Sequence, residues 1–506
     1  MAEKGLQLDS GILQFAPKGA FYETQDEQFK QIYRMWEDLF LYDRTLFCLT
    51  TLLGGTGFSK GSMSHMLLSN PQSVEDGALI PQGLAIDYER NVIIHNLKRE
   101  RTPRALKNLL MLTGGEGMKK VNNARTRKII LEFIFNRDHE ALDNLAVNYK
   151  GKLKRLVRHA LGRQTLSRIV DHGDEKLFNK WIGRYHPNAL PVILYLFDRP
   201  VPANTVMAYY KKIEQVLSLK EAAVKDDIKA FEKYMKGLPY LTVMGYRNTY
   251  KVTIDKADVL EGSKMTDRQS LQMQTAAKRS GAKVKVNYNN QSIYDLWKIY
   301  YHNLMQSDTT DLPKIEKAID EKHAKAAKID IGPVTIVIDA SESMSGSDKR
   351  PLHPFLTSLS ILSVLDNIVD VIYVGGKPID VNGNQIAVPG GATDLWRGLT
   401  EAVMTDAKKI IIISDGYENS VKGMFEHAYK HFKNSGFDFE LIHINPVMSA
   451  DASKGTTRQL VEDVKPLPVS APEFLETELI FNKMIENREL VKQLLVNKYQ
   501  KLIGGQ

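Results

Sequence analysis

Asp339, Ser341 and Ser343 stand at alternate positions directly after the apolar run 334–338, in the string V-T-I-V-I-D-A-S-E-S-M-S. One carboxylate and two hydroxyls brought together are hard oxygen donors, the kind a small divalent cation such as Mg²⁺ takes. Read alone, the string is equally a strand followed by a Ser-rich turn. Two later loops extend the donor set. P-G-G-A-T-D-L (389–395) supplies Thr393 just before a helical pattern, and I-I-I-I-S-D-G (410–416) places Asp415 after a strongly apolar run. If the three loops reach one edge, two carboxylates and three hydroxyls converge, with room for water and one ligand from outside.

The elements around these loops alternate. Strands are expected at 334–339, 369–375, 409–414 and 438–444, and helices at 352–366, 394–406 and 421–434. Gly383-Asn384 marks the turn of a short hairpin beside the second strand. This is the βαβ rhythm of a doubly wound α/β sheet, mostly parallel, with helices on both faces. Ligands of such sheets lie outside the carboxyl ends of the strands, where all three loops should emerge. A helical tail follows at 472–503, with Leu490, Leu494, Leu495 and Leu502 expected to dock on another part of the molecule.

Upstream of residue 330 the grammar is helical. Residues 29–53 carry apolar positions at threes and fours, and further helices are expected at 175–183, 189–197, 204–218, 222–236, 267–280 and 291–305. G-G-T-G-F-S-K-G-S (54–62) invites comparison with a phosphate-binding loop. Gly61 follows Lys60 where that motif needs Ser or Thr, and no β-rich run precedes it, so an interhelical loop is expected. Helix after helix with short breaks reads as an α-solenoid of HEAT-like helical pairs with degenerate repeats. A charged helix at 313–328 and the break at 331–333 close this part. The expected domains are an arm at 1–30, a basic helical-repeat domain at 31–329, an α/β domain at 330–485 and a C-terminal helix at 486–506.

Charge separates the two parts. From residue 330 onward there are 17 Lys/Arg against 23 Asp/Glu, whereas residues 1–329 hold 51 against 37. A basic helical part joined to an acidic α/β part points to a polyanion partner for the former, most often nucleic acid. The densest stretch, 97–163, has 17 Lys/Arg against 6 Asp/Glu. Within it, Leu153, Leu156, Val157, Ala160 and Leu161 form a buried stripe, leaving Lys154, Arg155, Arg158 and His159 on the opposite face. With Lys119, Lys120, Arg125, Arg127, Lys128, Lys152 and Arg163 these are candidates for phosphate contacts; a solvated helix face is the alternative. Tyr149, Tyr246 and Tyr250 are candidates for base stacking, with core packing as the alternative.

At 506 residues with 43% apolar and 25% charged content, the composition is that of a globular protein of two or three domains. No apolar run approaches the roughly 20 residues that cross a bilayer, and the N-terminus lacks a signal-peptide core. A lone Cys48 excludes an intrachain disulfide framework and clustered-cysteine zinc sites. A soluble, cytoplasmic and monomeric protein without a membrane partner is expected. No nucleophile elbow or triad is visible, and the pair His427/His431 lacks the glutamate of H-E-x-x-H, so no enzymatic activity is expected.

The D-x-S-x-S … T … D-G set resembles the metal-ion-dependent adhesion site (MIDAS) of von Willebrand factor A domains. The resemblance implies Mg²⁺ or another hard divalent cation touched by Ser341, Ser343 and Thr393, with Asp339 and Asp415 acting largely through water. Low formal charge around the ion leaves it electrophilic toward a partner's carboxylate. A basic solenoid followed by such a domain resembles the Ro-type proteins with their TROVE module. I-E-K-A-I-D-E-K-H (315–323) and L-P-Y-L-T-V-M-G-Y-R-N-T-Y (238–250) are similar to two of that family's local patterns, and the second adds Arg247 and Asn248 to the RNA-binding candidates. The second match needs an extra residue and carries Thr249 in place of a leucine. This resemblance implies a non-catalytic ribonucleoprotein component whose helical ring, clasped by the A domain, takes small noncoding RNA and the single-stranded ends of misfolded RNA. The alternative is a Mg²⁺-dependent protein-interaction or assembly scaffold.

Overall fold

The computed structural model describes residues 25–70, 80, 82–114, 118–202, 209–307, 309–347, 350–381, 384–418, 420–446, 458–486 and 488–504. Most of the expected N-terminal arm, Gly383 of the expected turn and the start of the helix expected at 204–218 lie outside these residues. The chain divides into two compact units: one takes the residues up to Lys60 with Tyr288–Gly505, the other is Gly61–Asn287.

The first unit is built on five parallel strands, β1 (Val334–Asp339), β2 (Ile368–Val374), β3 (Lys409–Ile413), β4 (Glu440–Asn445) and β5 (Leu467–Pro468). They pair in the order β2-β1-β3-β4-β5. Every residue of β1 is buried and β3 is buried beyond Lys409, as short β-branched runs in a parallel sheet should be. Val337, Ile410 and Ile412 pack with Leu395, Leu399 and Phe425, which come from helices Leu395–Val403 and Met424–Asn434. Helix His353–Leu362 connects β1 to β2. A hairpin of arms Lys377–Val381 and Asn384–Val388 follows β2, as its turn residues led one to expect. In this order the chain reverses direction across the sheet between β1 and β3. Such a switch point opens a crevice at the carboxyl ends of the two strands.

The expected boundary at 330 is not where the units divide. Helices Ile293–Met305 and Leu312–Lys325 belong to the sheet unit, where the Tyr301 hydroxyl donates to the Ala387 carbonyl at 2.9 Å and Tyr301 packs edge-on against Phe355. The N-terminal helices Gln25–Tyr42 and Arg44–Thr50 join it as well. Helix Arg488–Leu502 packs on Arg44–Thr50, with Lys492 paired to Asp43 at 2.7 Å. Its buried stripe is Val491, Leu495, Val496 and Tyr499; of the four expected leucines only Leu495 is buried, while Leu490 and Leu494 face out. The i, i+4, i+8 spacing of 491, 495 and 499 outranks the leucine pattern because it continues through Tyr499. The string 54–62 is not all loop. Helix Gly57–Ser69 begins inside it, and the Thr56 hydroxyl accepts from the Ser59 N–H at 3.1 Å, so a side chain caps the end.

Gly61–Asn287 is helical among its described residues, apart from one isolated bridge between Pro239 and Lys264. Asparagine and aspartate caps set its helix starts: Asn123 for Ala124–Phe135, Asp138 for His139–Leu161, Asp227 for Ile228–Met235 and Asp255 for Lys256–Gly262. One break differs from expectation. The chain stays helical through K-E-A-A-V and helix Lys211–Val224 ends only before the Asp227 cap, because Lys, Glu and Ala are strong helix formers. Buried Asp143 accepts from the N–H groups of Lys212 and Ile213 at 2.8 and 3.0 Å, and so caps that helix from helix His139–Leu161.

Candidate metal centre and nucleic-acid interface

At the switch point, Asp339 ends β1 with no exposed surface. Its Oδ1 accepts from the Ser341 N–H at 2.9 Å and its Oδ2 from the Ser414 hydroxyl at 2.6 Å. Ser414 is held in turn by the Gly416 N–H at 3.1 Å. The hydroxyls of Ser341 and Ser343 are 3.1 Å apart. Asp415, nearly buried, accepts from the Tyr417 N–H at 3.1 Å, and the Ser343 hydroxyl is near enough to favour its charged form. Asn445, at the end of β4, donates to the Asp415 carbonyl at 3.2 Å.

Backbone bonds tie the loops into one surface. The Gly376 N–H donates to the Gly390 carbonyl, the Gly390 N–H to that of Ala340 and the Glu342 N–H to that of Gly391. Gly375 has φ +74°, and a Cβ there would stand 3.0 Å from the Ala392 carbonyl oxygen and 3.3 Å from the Ser341 nitrogen. Glycine lets the loop after β2 pass beneath the donor loops without pushing them apart. Thr393 lies at the end of that surface, 2% exposed, and its Oγ1 is buried without a partner.

The electrostatics of the cluster are unbalanced. Burial pushes the Asp339 carboxyl up to about 6, and the charge of Asp415 adds to the push against the bonds from Ser341 and Ser414. Burial raises Asp415 too, opposed by the Ser343 hydroxyl and by Arg458. A compact cation with oxygen affinity would offset the cost of charging the two carboxyls and would give the Thr393 hydroxyl a partner. The donors present fit a hard divalent cation: Ser341, Ser343 and Thr393 would hold it, with Asp339 and Asp415 supplying charge. Such a cation acts as an electrophile toward an anionic oxygen. Among the described residues no group of three or more His, Cys, Asp or Glu could hold a metal, and His427 and His431 stand exposed on helix Met424–Asn434 without a third ligand.

Sequence reasoning took Asp415 from the string S-D-G and passed over Ser414, whose hydroxyl fixes Asp339. The signal was a hydroxyl at the end of an apolar strand, one residue before the carboxylate.

The cationic candidates separate into two groups. Lys119, Lys120, Lys128, Lys152, Arg155, Arg158 and Arg163 are exposed and make no ion pair among the described residues. Asn248 is exposed on helix Tyr240–Tyr250. Others are occupied. Arg125 pairs with buried Glu89 at 2.9 Å, Arg127 donates to Asn122 and Arg247 to the Ile254 carbonyl, both at 2.9 Å, and Lys154 pairs with Asp198 at 2.6 Å. The expected stripe Leu153, Leu156, Val157, Ala160 and Leu161 is buried throughout. His159 is not on the opposite face. It follows Leu156 by three residues, which turns it to the edge of the stripe, where it is buried with Nε2 2.8 Å from the Val121 carbonyl. Burial, with Lys120, Arg127 and Arg155 nearby, lowers its pKa and so disfavours the charged form that a phosphate would take.

Compared with known proteins, the chain matches no family model and no curated protein.

Proposed function

We propose that this is a non-catalytic RNA-binding protein resembling the Ro-type proteins. In this reading the helical unit is an α-solenoid that takes small noncoding RNA or the single-stranded ends of misfolded RNA. The sheet unit is a von Willebrand factor A domain with a Mg²⁺-binding adhesion site. The observation that carries it is the division of charge. Gly61–Asn287 holds 39 Lys/Arg against 23 Asp/Glu, so the rest of the chain holds 29 against 37. A net of +16 on one compact unit, with exposed cations not spent on ion pairs, favours a polyanion through counterion release. A mobility-shift titration of a tailed RNA at several salt concentrations tests it. Affinity should fall steeply as salt rises; weak binding with a flat salt response sinks the reading.

A second reading is favoured by the partnerless Thr393 hydroxyl, on a loop bonded to the one that follows Asp339, together with two carboxyls whose charged form burial disfavours. There the cation centre grips a carboxylate on a protein partner, and the protein serves as an assembly scaffold. EDTA or Asp339→Ala should release such a partner and leave RNA affinity unchanged. Loss of RNA binding on chelation would instead tie the two sites together.

A further inference from the structure

Helix His139–Leu161 places Lys150, Lys154 and Arg158 four residues apart along one stripe. Like charges at that spacing repel, and this stripe has drawn in few acids. Lys150 and Lys154 share one carboxylate, Asp198, each at 2.6 Å. Asp198 sits in the left-handed region (φ +58°), which aspartate adopts more readily than most residues, and is 55% exposed, so the pairing is held at the surface and not in the core. Aromatic rings floor the stripe: the Lys150 ammonium lies 4.3 Å from the Tyr195 ring centre, and Lys154 and Arg158 lie 5.8 and 5.7 Å from that of Phe197.

Helix Tyr240–Tyr250 borders the same surface. Its Thr242 hydroxyl reaches the Val147 carbonyl at 3.4 Å, next to Tyr149, where helix His139–Leu161 departs from helical geometry (φ −132°, ψ 28°). Tyr246 and Tyr250 stand one turn apart with parallel rings, 10° between planes and 6.2 Å between centres. Burial first, then Tyr250 and the nearby Asp198 carboxylate, raises the pKa of the Tyr246 hydroxyl. Tyr250, at the other end of the pair, is 36% exposed. Cations spaced along a helix beside an exposed aromatic face are the two parts of a single-strand site: one holds phosphates, the other a base.

We propose that Lys150, Lys154, Arg158, Asp198, Tyr246 and Tyr250 form a seat for a single-stranded RNA segment, with a phosphate displacing the Asp198 carboxylate from the two lysines and a base stacking on Tyr250. The inference rests on the RNA-binding reading and names the residues that would take the single strand: duplex RNA, with its bases already stacked, cannot use the tyrosine face.

The test uses the full chain, a short fluorescent oligouridylate and a duplex RNA of the same length. Tyr250→Ala should weaken oligouridylate binding by about 5- to 150-fold, the loss that corresponds to about 1–3 kcal/mol of stacking. Duplex binding should not change, and Tyr250→Phe should restore the single strand. Asp198→Asn should strengthen single-strand binding more than Glu221→Gln, which removes one charge from the exposed Glu221–Lys225 pair elsewhere in the unit. Both positions are exposed, so folding should be unaffected. Tyr250→Ala binding like wild type, or Asp198→Asn gaining no more than Glu221→Gln, overturns the seat. Polyglutamate competing as well as oligouridylate overturns it in favour of an acidic protein. Wild type binding neither RNA is a different failure, that of the RNA reading itself.

Discussion

A buried hydroxyl without a partner costs stability, on the order of 1–3 kcal/mol, and Thr393 carries that cost just after the loop whose Gly390 and Gly391 bond Ala340 and Glu342. Thr393→Val keeps the shape and removes the orphan. Without divalent cation it should be as stable as wild type or more so. Saturating Mg²⁺ should stabilise the wild type by about 2.7 kcal/mol at a hundredfold excess over Kd, raising its unfolding midpoint, and leave the variant nearly unmoved. Thermal scans with Mg²⁺ and with EDTA read both; an equal Mg²⁺ shift in the two proteins would remove Thr393 from the site. His443, fully buried on β4 with Nε2 3.1 Å from the Ser414 carbonyl, gives the pH dependence. Burial pushes its pKa down to about 4. Between about 6.5 and 4 the unfolded chain binds the proton that the folded chain refuses, so the stability it contributes is present above pH 6.5 and lost as pH falls. Asp339 has the opposite sign: its raised pKa favours the folded state at low pH, and that contribution is lost as pH rises through about 6. The two are separated by difference. His443→Gln, which can still donate to Ser414, should lose less stability than wild type between pH 6.5 and 4, by up to about 3 kcal/mol; parallel profiles would show His443 is not the responsible group.

Helix Leu395–Val403 follows Thr393 and lies on the sheet through Gly398. A Cβ at Gly398 would stand 2.4 Å from Val374 Cγ2 and 2.5 Å from Val337 Cγ1, both in strands of the core. Gly398→Ala should therefore lift the helix, cost about 1–3 kcal/mol by overpacking and weaken Mg²⁺ binding through displacement of the residues just before the helix. Denaturant unfolding and a Mg²⁺ titration check the two effects; wild-type Mg²⁺ affinity in a destabilised variant would separate the helix from the site. The positions of the sheet strands were legible because a β-branched run has one solution when both faces are covered. That Asp339, Ser341, Ser343 and Asp415 stand at one end of the sheet was legible because their loops follow those strands. Ser414 was not, since nothing in the local pattern says which hydroxyl bonds the carboxylate from another strand. His159 and the docking face of Arg488–Leu502 were misread for a related reason. Helical phase is known from sequence only to within a residue, and the neighbour that claims the edge of a stripe is distant in the chain. The boundary at 330 rests on the break at 331–333 and the change of pattern after it, neither of which reports that Tyr301 is bonded to Ala387.

At the scale of the molecule, cations and donors fall in different units: the orphaned hydroxyl and paired carboxylates in the sheet unit, the surplus of Lys and Arg in Gly61–Asn287. A surplus of acid on the sheet unit repels a phosphate backbone, which favours the helical unit as the RNA carrier. The two functions should then separate under mutation. Lys152→Glu with Arg155→Glu should reduce RNA affinity at least about tenfold and lower the slope of log affinity against log salt by about 0.7 for each single-strand phosphate that is no longer neutralised. The same protein should keep the full Mg²⁺ shift in its unfolding midpoint. Asp339→Ala should do the reverse, removing the Mg²⁺ shift and keeping RNA affinity. For independent sites the combined variant should add the single effects to within about 0.5 kcal/mol, whereas sites that share partners deviate by more. Anisotropy titrations over a salt series and thermal scans over a Mg²⁺ series, run on the same four proteins, decide between a two-function molecule and one in which the cation centre acts through RNA. If Asp339→Ala lowers RNA affinity while the fold is intact, the sheet unit takes part in RNA binding despite its charge, and the reading in which RNA binds through the helical unit alone is wrong.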